Sequence, residues 1–155
     1  MNRSRSAHGF SLVELVIVVV IVGLLAAIAI PRFSRGAAGA TDSALAGDLA
    51  VLRNAIEMYA AEHNGNFPAA ATFSDQLTQY SNLAGGTSAT KAVTHPYGPY
   101  LHAVPALKDG DAAGNAGVAA QSGTPTAESS TTGVGWLYDA STGQIWANEA
   151  DHFDR

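Results

Sequence analysis

Glu14 is the ionisable residue with the most unusual surroundings in this chain of 155 residues. It ends the segment Phe10-Ser-Leu-Val-Glu14 and precedes an unbroken apolar run from Leu15 to Ile30. A charge in a membrane-spanning helix is costly unless it is paired, and it marks a functional site by default. We therefore interpret Glu14 as a group that pairs with an opposite charge. The alternative is an incidental polar residue.

Oxygen ligands for a cation occur in the second half of the chain. Asp109, Asp111 and Asn115 follow one another at spacings of two and four residues, and hard cations such as Ca²⁺ take carboxylates and carbonyls as ligands. The segment lacks the glutamate that completes an EF-hand loop, so solvated turn carboxylates are the favoured interpretation. We predict no cofactor, with calcium at these residues as the alternative.

Composition excludes several classes of function. The chain has no cysteine, so it can form neither a disulfide nor a thiolate metal site. Its five histidines are scattered, no two have the spacing of a zinc-binding helix, and no serine lies in a nucleophile elbow. The eight lysines and arginines form no basic run, and the net charge is −5, so nucleic-acid binding is not predicted. We expect a protein that is not an enzyme.

The element that positions Glu14 is an apolar helix. Residues 10–30 would form a helix about 30 Å long, which matches the hydrocarbon core of a bilayer. One interpretation is a secretory signal peptide, since Ala27-Ile-Ala29 fits a small-x-small cleavage site; its apolar core would, however, be too long and would contain Glu14. A second interpretation is a plain membrane anchor, which explains the length but not the carboxylate. Arginines on both sides of the run leave its orientation open.

A third interpretation accounts for both the length and the carboxylate. The segment Gly9-Phe-Ser-Leu-Val-Glu-Leu15, the apolar run after it and Pro31 resemble the prepilin signature of type IV pilins and type II secretion pseudopilins. Three later segments resemble parts of major pseudopilins: Asn64-Gly-Asn-Phe-Pro68, Gly98-Pro-Tyr-Leu101, and the terminal sequence from Gly135 to Asn148.

The resemblance implies a processing pathway. The prepilin peptidase would cut between Gly9 and Phe10 and then methylate the new amino group of Phe10. In the filament, Glu14 would pair with the N-terminal amine of a neighbouring subunit, which neutralises two charges in an apolar bundle and sets the axial register. Pro31 would kink or locally melt the helix. The alternative is that Pro31 ends the helix after the membrane span.

The resemblance also implies a location and partners. Subunits would wait in the bacterial inner membrane as single-pass proteins with a periplasmic C-terminal domain, and would then polymerise with copies of themselves into a periplasmic or surface filament. An assembly ATPase and an inner-membrane platform protein would be further partners. Some major pseudopilins bind calcium through a C-terminal acidic loop, which adds Asp139, Asp151 and Asp154 to the residues considered for calcium.

The expected fold class is α+β, with one long N-terminal helix packed on a small antiparallel β-sheet. We divide the chain into a leader (1–9), a transmembrane assembly helix (10–30), an amphipathic continuation of that helix (31–64) and a variable globular domain (65–155). In the continuation, apolar residues recur at helical spacing and should pack on the sheet. This stripe consists of Leu45, Leu49, Leu52, Ile56 and Tyr59.

Turn and strand signals predict the details of the globular domain. The long helix should end near Asn64-Gly65, which can form a C-cap. Residues 72–83 could form a short helix, and two strands around Trp136 and Trp146 should form a hairpin with both tryptophans in the core. The stretch 110–133 is dominated by Ala, Gly, Ser and Thr and is predicted to be a long surface loop.

Two functions remain open within the family. A type II secretion pseudopilin forms a short periplasmic piston, whereas a major type IV pilin forms a long surface fibre for adhesion, motility or DNA uptake. The lack of cysteines and the later resemblances favour the pseudopilin. A rival of another class is a membrane-anchored periplasmic binding module that does not polymerise.

Overall fold

The computed structural model describes residues 10–153. It divides into two compact units, Met1–Ala40 and Thr41–Arg155. Helix α1 spans Leu12–Glu62 and contributes to both of them. In the described part of the first unit, α1 is the sole regular element.

The second unit contains the last turns of α1, one short helix and two small sheets. Helix α2 spans Phe73–Thr78, and short 3-10 turns occupy Ala70–Thr72 and Ala150–His152. The strands are β1 (Tyr80–Ser81), β2 (Thr87–Ser88), β3 (Gly117–Ala120), β4 (Val134–Asp139) and β5 (Gln144–Ala147). Strands β1 and β2 form an antiparallel pair, and the other three form a sheet in the order β3-β4-β5.

The α+β class is confirmed, and the larger sheet is mixed. Strands β4 and β5 pair antiparallel, as the predicted hairpin requires, whereas β3 pairs parallel with β4. Parallel neighbours need a connection of roughly a dozen residues or more, and residues 121–133 supply it. The prediction of a long surface loop over 110–133 is therefore wrong where β3 lies.

The stripe on α1 forms one wall of the core, as predicted. Leu45, Leu52 and Ile56 are at most 1% exposed, and they belong to one apolar cluster with Trp136 and Tyr138 of β4. Both aromatic side chains also satisfy their polar atoms, as buried Tyr and Trp usually do. The Trp136 indole N–H donates to the Pro105 carbonyl at 2.8 Å, and the Tyr138 hydroxyl donates to the Pro68 carbonyl at 3.0 Å.

The C-terminus of α1 follows the predicted capping chemistry. Asn64 has φ of 57° and Gly65 has φ of 81°, and the Gly65 N–H donates to the Ala60 carbonyl at 2.8 Å. This is the hydrogen bond of a Schellman motif, in which a left-handed residue ends the helix. The polypeptide then leaves the helix axis and enters the loop before α2.

Helix α2 is shorter than predicted. It ends at Thr78, and Gln79 is extended with φ of −117° and ψ of 172°. The predicted helix over 72–83 is therefore wrong beyond this point, because Tyr80 and Ser81 pair with β2. Phe73 and Leu77 still face the core, as the helical spacing indicated.

Candidate functional site

The N-terminal end of α1 exposes both residues that the sequence singles out for assembly. The Leu15 N–H donates to the Ser11 carbonyl at 3.1 Å, and this hydrogen bond forms the first turn of α1. Phe10 precedes the helix and is 77% exposed, and Glu14 lies in the first turn and is also exposed. A carboxylate is favourable at this end of a helix, where the backbone N–H groups are unpaired. Gly9 lies outside the described residues, so the cleavage junction stays a prediction.

The next turns of α1 present an apolar surface with nothing packed on it in the single chain. Every large apolar residue from Leu12 to Ile30 is at least 49% exposed. The most apolar 18-residue window of α1 has a mean hydropathy of 3.1, and none of it is buried. By length and composition, this helix could cross a membrane. Water is a poor environment for such a surface.

Small residues on α1 leave room for a neighbour. A Cβ atom added to Gly23, Gly36 or Gly39 would meet nothing within 4 Å. The chain's own packing therefore does not require glycine at these positions. Glycine on a lipid-facing helix lets a second helix approach closely.

Pro31 does not end the helix. Helix α1 continues through it to Glu62, so the interpretation of Pro31 as a helix stop is wrong. Proline removes one backbone hydrogen bond from a helix interior, and helices that cross membranes tolerate this loss when neighbours compensate. The kink stays a prediction.

Asp139 serves the β4–β5 turn. Its carboxylate accepts hydrogen bonds from the Ser141 hydroxyl at 2.6 Å, the Ser141 N–H at 2.8 Å and the Gly123 N–H at 2.8 Å. The Ser141 hydroxyl and these backbone donors lower the pKa of Asp139. Two donors in its own turn and a third from the connection between β3 and β4 explain this carboxylate without an ion.

Asp109 lies in a cluster that the sequence did not predict. The His152 Nε2 atom is 3.6 Å from an Asp109 carboxylate oxygen and 3.9 Å from one of Asp42. Asp111 and Asp151, the other two calcium candidates, do not belong to this cluster, and Asp154 lies outside the described residues. The three members come from distant parts of the chain, so no local spacing could have indicated them.

Comparison with known proteins finds a family model and several curated relatives that each match part of the chain. Residues 4–30 match the family model of the prokaryotic N-terminal methylation motif. The chain is 32% identical over 62 residues to type II secretion system core protein G of Aeromonas hydrophila, covering 40% of this chain and 43% of that protein. It is 36% identical over 59 residues to the protein of the same name from Vibrio cholerae, covering 38% and 40%. For Escherichia coli K12 the identity is 31% over 68 residues, covering 44% and 46%.

Each relative is matched over only part of its length, which limits what the similarity shows about this chain. The chain spans less than half the length of the curated relatives it matches, and no solved structure matches it significantly. A motif for cleavage and methylation and an exposed apolar helix nevertheless coincide over the same residues. The chain therefore carries the prepilin-type N-terminal methylation motif and is homologous, over part of its length, to the pseudopilin known as type II secretion system core protein G.

Proposed function

We propose that this protein is a structural subunit of a helical filament of the type II secretion kind, and that it is not an enzyme. The observation that carries the proposal is the exposed apolar surface from Leu12 to Ile30, with a carboxylate at its start and the methylation motif over the same residues. A globular protein would bury such a surface in its own core. Here it needs partners outside the chain.

Two environments can cover this helix in succession. Before assembly, the stretch from Leu12 to Ile30 is roughly 28 Å long at 1.5 Å per residue, enough to span the inner membrane. In the filament, helices of other copies replace the lipid. Gly23 offers a place where such a helix can approach.

Processing supplies the charge that Glu14 needs. Cleavage by the prepilin peptidase between Gly9 and Phe10 creates an amino group, which is then methylated, at the head of the helix. In an apolar bundle, an unpaired carboxylate is strongly unfavourable, and an amine from a neighbouring copy would neutralise it. A subunit docked one turn out of place would leave Glu14 unpaired, so this ion pair would select the axial register.

The location and the machinery belong to the same proposal. The subunit would be a single-pass protein of the bacterial inner membrane with its globular unit in the periplasm. An assembly ATPase and an inner-membrane platform protein would extract it. No cofactor is required.

A secretion pseudopilin is favoured over a surface pilin. The relatives from Aeromonas hydrophila, Vibrio cholerae and Escherichia coli are all named type II secretion system core protein G. The chain also has no cysteine pair to close a C-terminal loop. We therefore place the filament in the periplasm and not on the cell surface.

Replacing Glu14 with alanine tests the proposal. The Glu14→Ala and Glu57→Ala chains are expressed with the prepilin peptidase and the assembly machinery; Glu57 is an exposed glutamate on the same helix and serves as the control. Mass spectrometry reports the mature N-terminus, and cross-linking reports incorporation into filaments. We expect both variants to begin at methyl-Phe10, and Glu14→Ala alone to lose incorporation.

Two results would contradict the proposal. A mature chain that begins at Ile30 would show cleavage as a secretory signal peptide. Cross-linking that is absent in the wild type, or unchanged in Glu14→Ala, would favour an anchored module that does not polymerise through this residue.

A further inference from the structure

We propose that Asp42, Asp109 and His152 form a binding site for one divalent transition-metal ion of the zinc type. This inference concerns the globular unit and goes beyond the filament function. It does not depend on that function being correct.

The three side chains converge from separate elements. Asp42 lies on α1, Asp109 on the loop between β2 and β3, and His152 at the end of the C-terminal 3-10 turn. Their ligand atoms all lie within 4.8 Å of one another. Bonds of about 2.0–2.2 Å to a single zinc ion place ligand atoms roughly 3.3–3.6 Å apart. The observed distances of 3.6 and 3.9 Å from His152 Nε2 to the two carboxylates are close to this value.

The His152 ring is the observation that distinguishes this cluster from a group of surface carboxylates. The residue is 6% exposed, and its Nδ1 atom is buried without a hydrogen-bond partner in the described part of the chain. Its Nε2 atom faces Asp109 and Asp42 at distances too long for hydrogen bonds. An ion between the two carboxylates would bind Nε2 and not Nδ1, so the observation that matters is that Nε2, on a ring that is 6% exposed, faces both carboxylates without a hydrogen bond in the described part of the chain. A buried imidazole nitrogen in this position requires an explanation, and an ion is one of those that native proteins use.

The ligand set selects the kind of metal. Calcium takes oxygen ligands, whereas a neutral imidazole nitrogen suits zinc and neighbouring transition metals. One histidine and two carboxylates give three protein ligands, so one position is left for water. The carboxylates of Asp42 and Asp109 are each about half exposed, which leaves a path for the ion to enter.

The surrounding charge favours a cation. Glu149 lies against Gly110, next to Asp109. Burial, and the nearby carboxylates of Glu128, Asp151 and Asp109, raise the pKa of Glu149. Lys108 is the basic side chain next to Asp109 in sequence, and its ammonium lies 3.8 Å from Asp48 on α1. The cluster therefore lies in a region of negative potential, which attracts a divalent ion.

A bound ion would cross-link three segments of the globular unit. It would join α1, the loop after β2 and the C-terminal turn, three segments that a cysteine-free chain cannot join by a disulfide. Because a ligand that binds the folded state stabilises it by mass action, zinc should raise the melting temperature.

Zinc binding to the full chain tests the inference. The untagged protein in detergent micelles is stripped with a chelator and dialysed against Zn²⁺, and bound metal is measured by elemental mass spectrometry. We expect one zinc ion per chain, with affinity reduced at least about tenfold in His152→Gln and in Asp109→Asn. Thermal unfolding is followed by tryptophan fluorescence. Zinc should raise the melting temperature of the wild type but not that of His152→Gln or Asp109→Asn.

Matched controls distinguish zinc binding at this cluster from zinc binding to other side chains on the surface. His102→Gln and Asp75→Asn change exposed residues outside the cluster and should retain the zinc ion and the thermal shift. Asp109→Asn alters a half-exposed side chain, so it should keep the wild-type circular dichroism even if His152→Gln does not. The inference is overturned if the wild type binds no stoichiometric zinc, if excess Ca²⁺ displaces it, or if Asp109→Asn binds as tightly as the controls.

Discussion

At the scale of single residues, polar groups in apolar surroundings divide into those satisfied inside the chain and those that need something outside it. His63 is 1% exposed and belongs to the first kind. Its Nδ1 atom lies 2.8 Å from the Tyr59 carbonyl, its Nε2 atom lies 3.1 Å from the Ser81 hydroxyl, and its ring stacks on Tyr59 at 3.7 Å. With both nitrogens hydrogen-bonded in the core, His63 has a structural role. Among residues 10–153 Glu14 has no such partner, and the proposed function gives it one outside the chain.

Asp139 provides a prediction at this scale. Because its hydrogen-bond donors lower its pKa in the folded state, the ionised carboxylate stabilises the fold above the unfolded pKa of about 3.9. That contribution is lost as pH falls through the lower folded value. We expect Asp139→Ala to reduce the melting temperature at pH 7 by on the order of a few degrees, and the difference from wild type to shrink toward pH 2.

The control for this prediction is Asp75→Ala, an exposed carboxylate on α2. It should leave the melting temperature nearly unchanged at either pH, since its one side-chain hydrogen bond in the described part of the chain, from Gln79, is exposed to solvent and surface substitutions have small effects. A deficit in Asp139→Ala that persists undiminished at low pH would show that packing, and not the ionised carboxylate, stabilises the turn.

At the scale of elements, α1 combines two kinds of helix in one. Its residues from Leu12 to Ile30 are apolar and exposed, whereas its later turns bury one stripe and expose the opposite face. Tertiary packing of an amphipathic face supplies most helical stability in proteins. The later turns are therefore stabilised within the chain, whereas the earlier turns have no such packing among the described residues.

Leu52 and Val51, two adjacent residues of α1, test whether the buried stripe stabilises the later turns. Leu52 is fully buried and Val51 is 50% exposed. We expect Leu52→Ala to lower the free energy of unfolding by about 2–5 kcal/mol, as truncation of a buried leucine usually does, and Val51→Ala to change it by less than about 1 kcal/mol. Denaturant unfolding in micelles, followed by tryptophan fluorescence, measures both. Equal effects would mean that the stripe does not form the core wall.

At the scale of the whole molecule, the two units have different requirements. The core residues, from Leu45 onward, all lie in the second unit. The first unit contributes a helix with an exposed apolar surface and no core of its own among its described residues. A protein built in this way can keep its globular fold while the helix exchanges lipid for neighbouring subunits.

A truncation tests this independence. We expect residues 41–155 alone to be soluble and to unfold cooperatively, because they retain the stripe and both sheets. Circular dichroism, analytical ultracentrifugation and thermal melts measure this. Non-cooperative melting, or loss of the near-ultraviolet signal of the buried tryptophans, would show that the first unit is needed for folding.

The features that the sequence alone determined are those encoded by local patterns. The apolar run, the stripe on α1, the cap at Asn64-Gly65 and the hairpin of Trp136 and Trp146 each follow from residue spacing within a short window, and the structure contains all four. Helical and strand periodicities and turn chemistry are properties of neighbouring residues, so they can be interpreted before the chain folds. The assembly role of Glu14 was predicted from the same kind of local pattern and stays a prediction.

Tertiary structure decided the features that join distant segments. Strand β3 has short side chains and no alternating pattern, and only its pairing with β4 makes it a strand. Ser81 meets His63, and Asp42 and Asp109 meet His152, across separations that no motif spans. Such contacts depend on how the whole core packs, because many weak interactions summed over the fold determine which loops come together.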